Sequence, residues 1–125
     1  MMDRKPFTPK AYLKVDCPFS FKFLLFMAEA GLLDRIEVIR CDPHSVEFEG
    51  VKAKLAAATN QPATFPTVEV EPGRYQSDSD QLIEYYAQKD NVAPGDLPAL
   101  AFYKQGIFPQ LQQQHTQAET PKAPR

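Results

Sequence analysis

The chain has no tryptophan, only two cysteines and two histidines, and a net charge of −2 from 14 basic and 16 acidic residues. Each shortage excludes something. So weak a charge offers no broad attraction to nucleic acid or to an anionic membrane. Cys17 and Cys41 are too few for a secreted disulfide scaffold. His44 and His115 are far apart, and no group of residues has metal-ligand spacing, so no metal is expected. The apolar run around Leu24 to Ala28 falls far short of a bilayer span. Met1-Met2-Asp3-Arg4-Lys5-Pro6 has no apolar segment behind its charges, so no signal peptide is read there. These absences predict a cytoplasmic protein of one domain. Nine phenylalanines and five tyrosines provide the core material that tryptophan does not.

The chain is organised around Asp16-Cys17-Pro18-Phe19-Ser20. Ala11 to Val15 carries β-formers and reads as a first strand. Pro18 suits the first turn of a helix, where its missing N–H is not needed. Phe23, Phe26, Met27, Ala30 and Leu33 then recur at spacings of three and four, with Leu24 and Leu25 widening the apolar face, so a helix packed against a sheet is expected. Gly31 marks its end. Ile36 to Cys41 is a second strand, and the intervening helix has the length of a parallel crossover. Phe48, Val51 and Leu55 predict a second helix, broken at Asn60-Gln61-Pro62. Thr67 to Glu71 alternates as a third strand, Pro72-Gly73 turns the chain, and Arg74 to Gln76 forms an antiparallel edge strand. A third helix follows Asp78 or Ser79 and runs to Gln88.

The order is β-α-β-α-β-β-α, an α/β chain with a mixed four-stranded sheet. Residues 1–10 read as a flexible lead-in, 11–88 as the folded unit, 89–111 as a linker and a short extra helix, and 112–125 as a disordered tail.

Three stretches carry chemistry. A cysteine at a helix start faces unpaired N–H groups and the positive end of the dipole, which favour the thiolate that reacts. Lys14 and Lys22 add to this if they point toward it, and the Asp16 carboxylate opposes it. Ser20 stands where a Cys-x-x-Cys protein has its second thiol, so Cys17 needs an external thiol to complete disulfide chemistry. Phe65-Pro66-Thr67 opens the third strand, where a cis bond would leave the Phe65 backbone groups free to bind an extended peptide. Ser77-Asp78-Ser79-Asp80 is a helix cap, and equally a seat for a ligand carrying both a carboxylate and an amine. Cys41, at the end of the second strand, shares a sheet edge with Cys17; an inert buried thiol and a redox partner are both open. Tyr12 reads as a strand side chain or as a hydrogen-bond donor near the thiol. His44 and His115 read as exposed.

These three stretches, in this order and spacing over residues 11–88, resemble the N-terminal domain of the glutathione transferase superfamily and, by extension, the glutaredoxins. The resemblance implies a thioredoxin-like fold, with glutathione as co-substrate. It implies that Cys17 meets the glutathione sulfur; the place of Ser20 in the turn adds the expectation that its hydroxyl donates to the sulfur anion and stabilises it. It also implies that Pro66 is cis, that Phe65 pairs through its backbone with the cysteinyl part, and that Asp78 and Ser79 hold the γ-glutamyl end. Transferases continue into a large helical domain, whereas about 37 residues follow Gln88. The chain therefore fits a stand-alone thiol domain. The expected function is glutathione-dependent thiol–disulfide exchange of the monothiol glutaredoxin type, on a glutathionylated protein or a small thiol. Two alternatives stand beside it: a non-catalytic binding or assembly module, and a small transferase whose pocket is completed by oligomerisation. A homodimer through the last helix belongs with both.

Overall fold

The computed structural model describes residues 7–119, with side chains through residue 114. Strand β1 (Lys10–Lys14) leads to helix α1 (Pro18–Glu29), strand β2 (Glu37–Cys41), helix α2 (Phe48–Thr59), the hairpin β3 (Thr67–Glu71) and β4 (Arg74–Ser77), and helix α3 (Ser79–Lys89). The sheet order is β2-β1-β3-β4, with β1 parallel to β2, and β3 antiparallel to both β1 and β4. This is the element order and mixed sheet expected from the sequence.

Local chemistry sets the element ends. Pro18 opens α1, and Gly31, at φ +75°, closes it: the Leu32 N–H reaches the Met27 carbonyl at 2.8 Å and the Gly31 N–H reaches that of Ala28 at 3.2 Å. That pair of bonds is a helix stop that requires a residue tolerant of positive φ. Asn91, at φ 58°, ends α3 in the same way, its neighbour Val92 bonding to the Ala87 carbonyl. The expected first helix stops short of Leu33, which belongs to a separate 3₁₀ turn, Leu33–Arg35.

The sheet has two unequal faces. Helices α1 and α3 cover one, around Phe23, Phe26, Met27, Val68 and Leu82, all fully buried. Burying each such large side chain contributes about 1.5–3 kcal/mol. On the other face α2 lies over a smaller cluster of Tyr12, Cys41, Phe48 and Leu55.

The chain then returns along α1. Helix α4 (Pro98–Phe102) passes through a π turn, Tyr103–Ile107, into helix α5 (Phe108–Glu119). Pro109 explains the wide turn: it has no N–H for the Gln105 carbonyl, and its ring crowds that carbonyl. The ladder relaxes by one residue, so the Phe108 N–H bonds to the Tyr103 carbonyl five residues back. The sequence ends this helix near Leu111 and expects a tail from residue 112, yet α5 runs to Glu119. Its glutamines are good helix formers, so polarity alone does not end it. Residues 120–125, and 1–6 of the expected lead-in, lie outside the described residues. Among the described residues no helix is long and apolar enough to cross a membrane.

Candidate functional site

Strand register gathers the chemistry at one edge. Lys14 pairs with Cys41, Tyr12 with Thr67, and Thr67 with Ser77. The C-terminal ends of β1, β2 and β4 and the N-terminal end of β3 therefore lie together. The Cys17 turn leaves β1 at this edge, Phe65-Pro66 enters β3 there, and Asp78-Ser79 leaves β4 there.

Cys17 is the N-cap residue of α1, in extended conformation, with its side chain free of any capping bond. Its carbonyl begins the helix ladder, accepting from the Phe21 N–H at 3.0 Å. The thiol is buried, 6 % exposed, and donates toward the Phe65 carbonyl at 3.7 Å. The Phe65–Pro66 bond is cis, and the Phe65 ring stacks on Phe48 at 5.8 Å. The thiol-bearing turn thus meets the Phe65 backbone directly.

Ser20 is buried, and its Oγ accepts from the Lys14 N–H at 3.1 Å, tying β1 to α1 across the turn. No hydrogen bond joins Ser20 to the Cys17 sulfur among the described residues. Both lysines are paired with carboxylates: Lys14, which lines the edge beside the thiol, with Asp16 at 3.5 Å, and Lys22 with Asp80 at 2.8 Å. The charge on Asp16 is thereby partly balanced by its own neighbour.

At the start of α3, Asp78 caps the helix. Its Oδ1 accepts from the N–H groups of Asp80 at 2.9 Å and Gln81 at 3.2 Å. Its φ of 81° is a conformation rare for a residue with a side chain, costing about 1–3 kcal/mol. Ser79 is buried behind it while Asp78 and Asp80 are exposed.

Beside the thiol is a cavity of about 720 Å³, walled by Val15, Pro18 and Phe21 on one side and Tyr103, Ile107 and Leu111 on the other. The Tyr103 hydroxyl donates to the Pro18 carbonyl at 2.8 Å, one residue from the cysteine. Burial, with the nearby Cys17 charge, pushes its pKa up to about 12, so it stays a neutral donor. The Glu29 carboxylate, at the far end of α1, accepts from the N–H groups of Ala99 at 2.7 Å and Leu100 at 2.8 Å, capping α4. The last helix is therefore fastened to both ends of α1.

Tyr12 faces away from this site. It is buried under α2, with its hydroxyl 3.2 Å from Lys54 Nζ. Cys41 is on that face too, donating to its own strand's Ile39 carbonyl at 3.4 Å; burial pushes its pKa up. Both cysteines are free. His44 is exposed, and the His115 side chain lies outside the described residues. Among the described residues no group of three or more His, Cys, Asp or Glu side chains is placed to hold a metal ion.

Sequence reasoning missed the wall built by the last helix and the Lys22–Asp80 pair. The stripe Tyr103, Ile107, Leu111 at four-residue spacing was the available signal for the wall. Nothing local signalled the ion pair.

No protein-family model matches the chain, and no curated protein does. Among solved structures, glutaredoxin 2 from Salmonella typhimurium, in complex with glutathione, superposes with a TM-score of 0.56 at 14 % identity, covering 94 % of this chain and 62 % of that one. Glutathione transferase Omega 2C from Trametes versicolor gives 0.47 at 17 % identity, covering 88 % and 46 %. The chain spans less than two thirds of either. The fold is thioredoxin-like, as in glutaredoxin 2.

Proposed function

We propose that the protein binds glutathione at this edge and uses Cys17 for glutathione-dependent thiol–disulfide exchange. The observation that carries the reading is a lone thiol at a helix N-terminus, against the Phe65 carbonyl and open to a cavity. The glutathione in the structure of glutaredoxin 2 supports the choice of ligand. In this reading the Phe65 backbone pairs with the cysteinyl part, and Asp78 with Ser79 receives the γ-glutamyl end.

The Cys17 thiolate attacks the glutathione sulfur of a glutathionylated substrate. The substrate S–S bond breaks, and the substrate sulfur leaves as a thiolate that takes up a proton. A second glutathione, as its thiolate, attacks the glutathione sulfur of the Cys17 mixed disulfide. That releases oxidised glutathione and returns the Cys17 thiolate. Overall one glutathione thiol is oxidised into oxidised glutathione as the substrate sulfur is reduced to a thiol, and no second protein cysteine is needed. The α1 N-terminus stabilises the thiolate as attacking and as leaving group. Ser20 holds the turn that keeps the sulfur there.

A second reading has its own observation. The cavity wall beside the thiol is completed by the chain's own last helix, which suits a transferase acting on a small apolar electrophile. Oligomerisation is not needed to form that wall. Calorimetry with reduced glutathione, followed by turnover of a small glutathionylated disulfide, tests the first reading. Micromolar to low millimolar binding that weakens in Asp78→Ala, with turnover lost in Cys17→Ser, is the expected result. Binding with turnover only of an apolar electrophile would favour the second. No binding at all would overturn both.

A further inference from the structure

Lys22 is a lysine whose side chain is only 4 % exposed. It leaves the second turn of α1, and its ammonium lies 2.8 Å from Asp80 Oδ1, on the first turn of α3. The Phe108 ring, from α5, covers it with the centroid 4.2 Å away, and Phe19 flanks it at 5.9 Å. One ammonium therefore joins the helix that carries the thiol, the helix that begins at Asp78-Ser79, and the helix that walls the cavity. Burying a lysine is costly unless its charge is matched. Here a carboxylate and an aromatic face match it. The partner, Asp80, is 72 % exposed and stands two residues from Asp78, so its charge faces the same solvent that a ligand would cross.

We infer that Lys22 is a positioning residue for the γ-glutamyl end of glutathione, acting through Asp80. This rests on the glutathione reading above. Two carboxylates on the first turn of α3 would make a poor seat for a ligand carboxylate, since like charges repel at short range. By pairing with Asp80, Lys22 cancels one of them. Asp78, which caps the Asp80 and Gln81 N–H groups, is left to meet the ligand amine, and the Ser79 N–H and hydroxyl to meet its carboxylate. The Phe108 ring covers the ammonium, while Asp80 stays open to solvent.

The test is calorimetry of the full chain with reduced glutathione, and with cysteinylglycine, which lacks the γ-glutamyl group. Lys22→Met keeps the stem's length and its contact with Phe108 but frees the Asp80 charge. It is expected to weaken glutathione binding about ten-fold, a size ordinary for one charge at a short range, and to leave cysteinylglycine unchanged. The double variant Lys22→Met/Asp80→Asn removes both charges and is expected to recover most of the lost affinity. Asp80→Asn alone, which unpairs the ammonium instead, is expected to hold or tighten binding. A double variant as weak as Lys22→Met would overturn the inference, because Lys22 would then be only a strut. So would equal losses for both ligands, or an unchanged Lys22→Met while the wild-type protein binds normally. Failure of the wild-type protein to bind glutathione would overturn the reading of the site, and this inference with it.

Discussion

The chain buries two free cysteines, one in the turn at the sheet edge and one on the face under α2, and the two thiols have different surroundings. Cys17 lies at the start of α1, with a cavity walled by the last helix beside it. Cys41 lies under α2 at a strand end, among Tyr12, Phe48 and Leu55, bonded to a carbonyl of its own strand. Relative exposure does not separate them, at 6 % and 3 %. Nor does the bond each makes, since both thiols point at a carbonyl; what separates them is the rest of the surroundings. A helix start and a cavity lie beside the Cys17 sulfur, whereas the Cys41 thiol is closed in by apolar side chains, and that burial raises its pKa. A cysteine's burial is therefore a poor guide to its chemistry until the groups facing the sulfur are named.

The largest expected break in this comparison is functional. Cys17→Ser should reduce glutathione-dependent disulfide turnover to the uncatalysed rate, while Cys41→Ala should stay within about two-fold of wild type. Equal losses would mean that the two thiols act together. Peptide mapping after iodoacetamide treatment of the native protein should find label on Cys17 well before Cys41.

Next in size is the packing of the two faces. Phe26, fully buried in the larger core, should cost about 3–5 kcal/mol on truncation to alanine, measured by urea unfolding. Leu55→Ala, under α2, should fall at about 2–4 kcal/mol. A reversed order would show that the smaller cluster, not the larger one, dominates stability.

Smaller still is Tyr103→Phe, which removes the bond to the Pro18 carbonyl and should cost about 1 kcal/mol. It also sharpens the pH comparison. Tyr103 ionises in the unfolded chain near 10 and in the fold only near about 12. A raised pKa means that the unfolded chain loses its proton first. The associated stability is thus complete below pH 10 and lost as pH rises toward 12. Urea unfolding from pH 9 to 11 should show a shallower decline in Tyr103→Phe than in wild type. Tyr86, whose pKa burial also raises, adds a decline in the same direction to both proteins. Parallel declines would place the Tyr103 hydroxyl in water.

Much of the fold was legible before any coordinates. Apolar spacing marked α1, alternation marked β3, and Pro18, Gly31 and Pro72-Gly73 marked ends and turns, because each acts within a few residues of chain. The Gly31 signal outweighs the apolar pattern that continues to Leu33, and α1 ends before it. At the site, the sequence located the thiol, Phe65-Pro66 and the Asp78-Ser79 cap. It did not reveal that the Ser20 oxygen ties β1 to α1, since that bond depends on how tightly the turn folds.

By itself, then, the sequence determined the order of the elements and the position of Cys17 at the head of a helix. Only the tertiary structure decided what surrounds that thiol. Tyr103 reaches the Pro18 carbonyl across 85 residues, and Lys22 reaches Asp80 across 58. Such contacts leave no periodic trace in a sequence. They arise because the last helix finds its lowest free energy by burying Leu100, Tyr103 and Phe108 against the flank of α1.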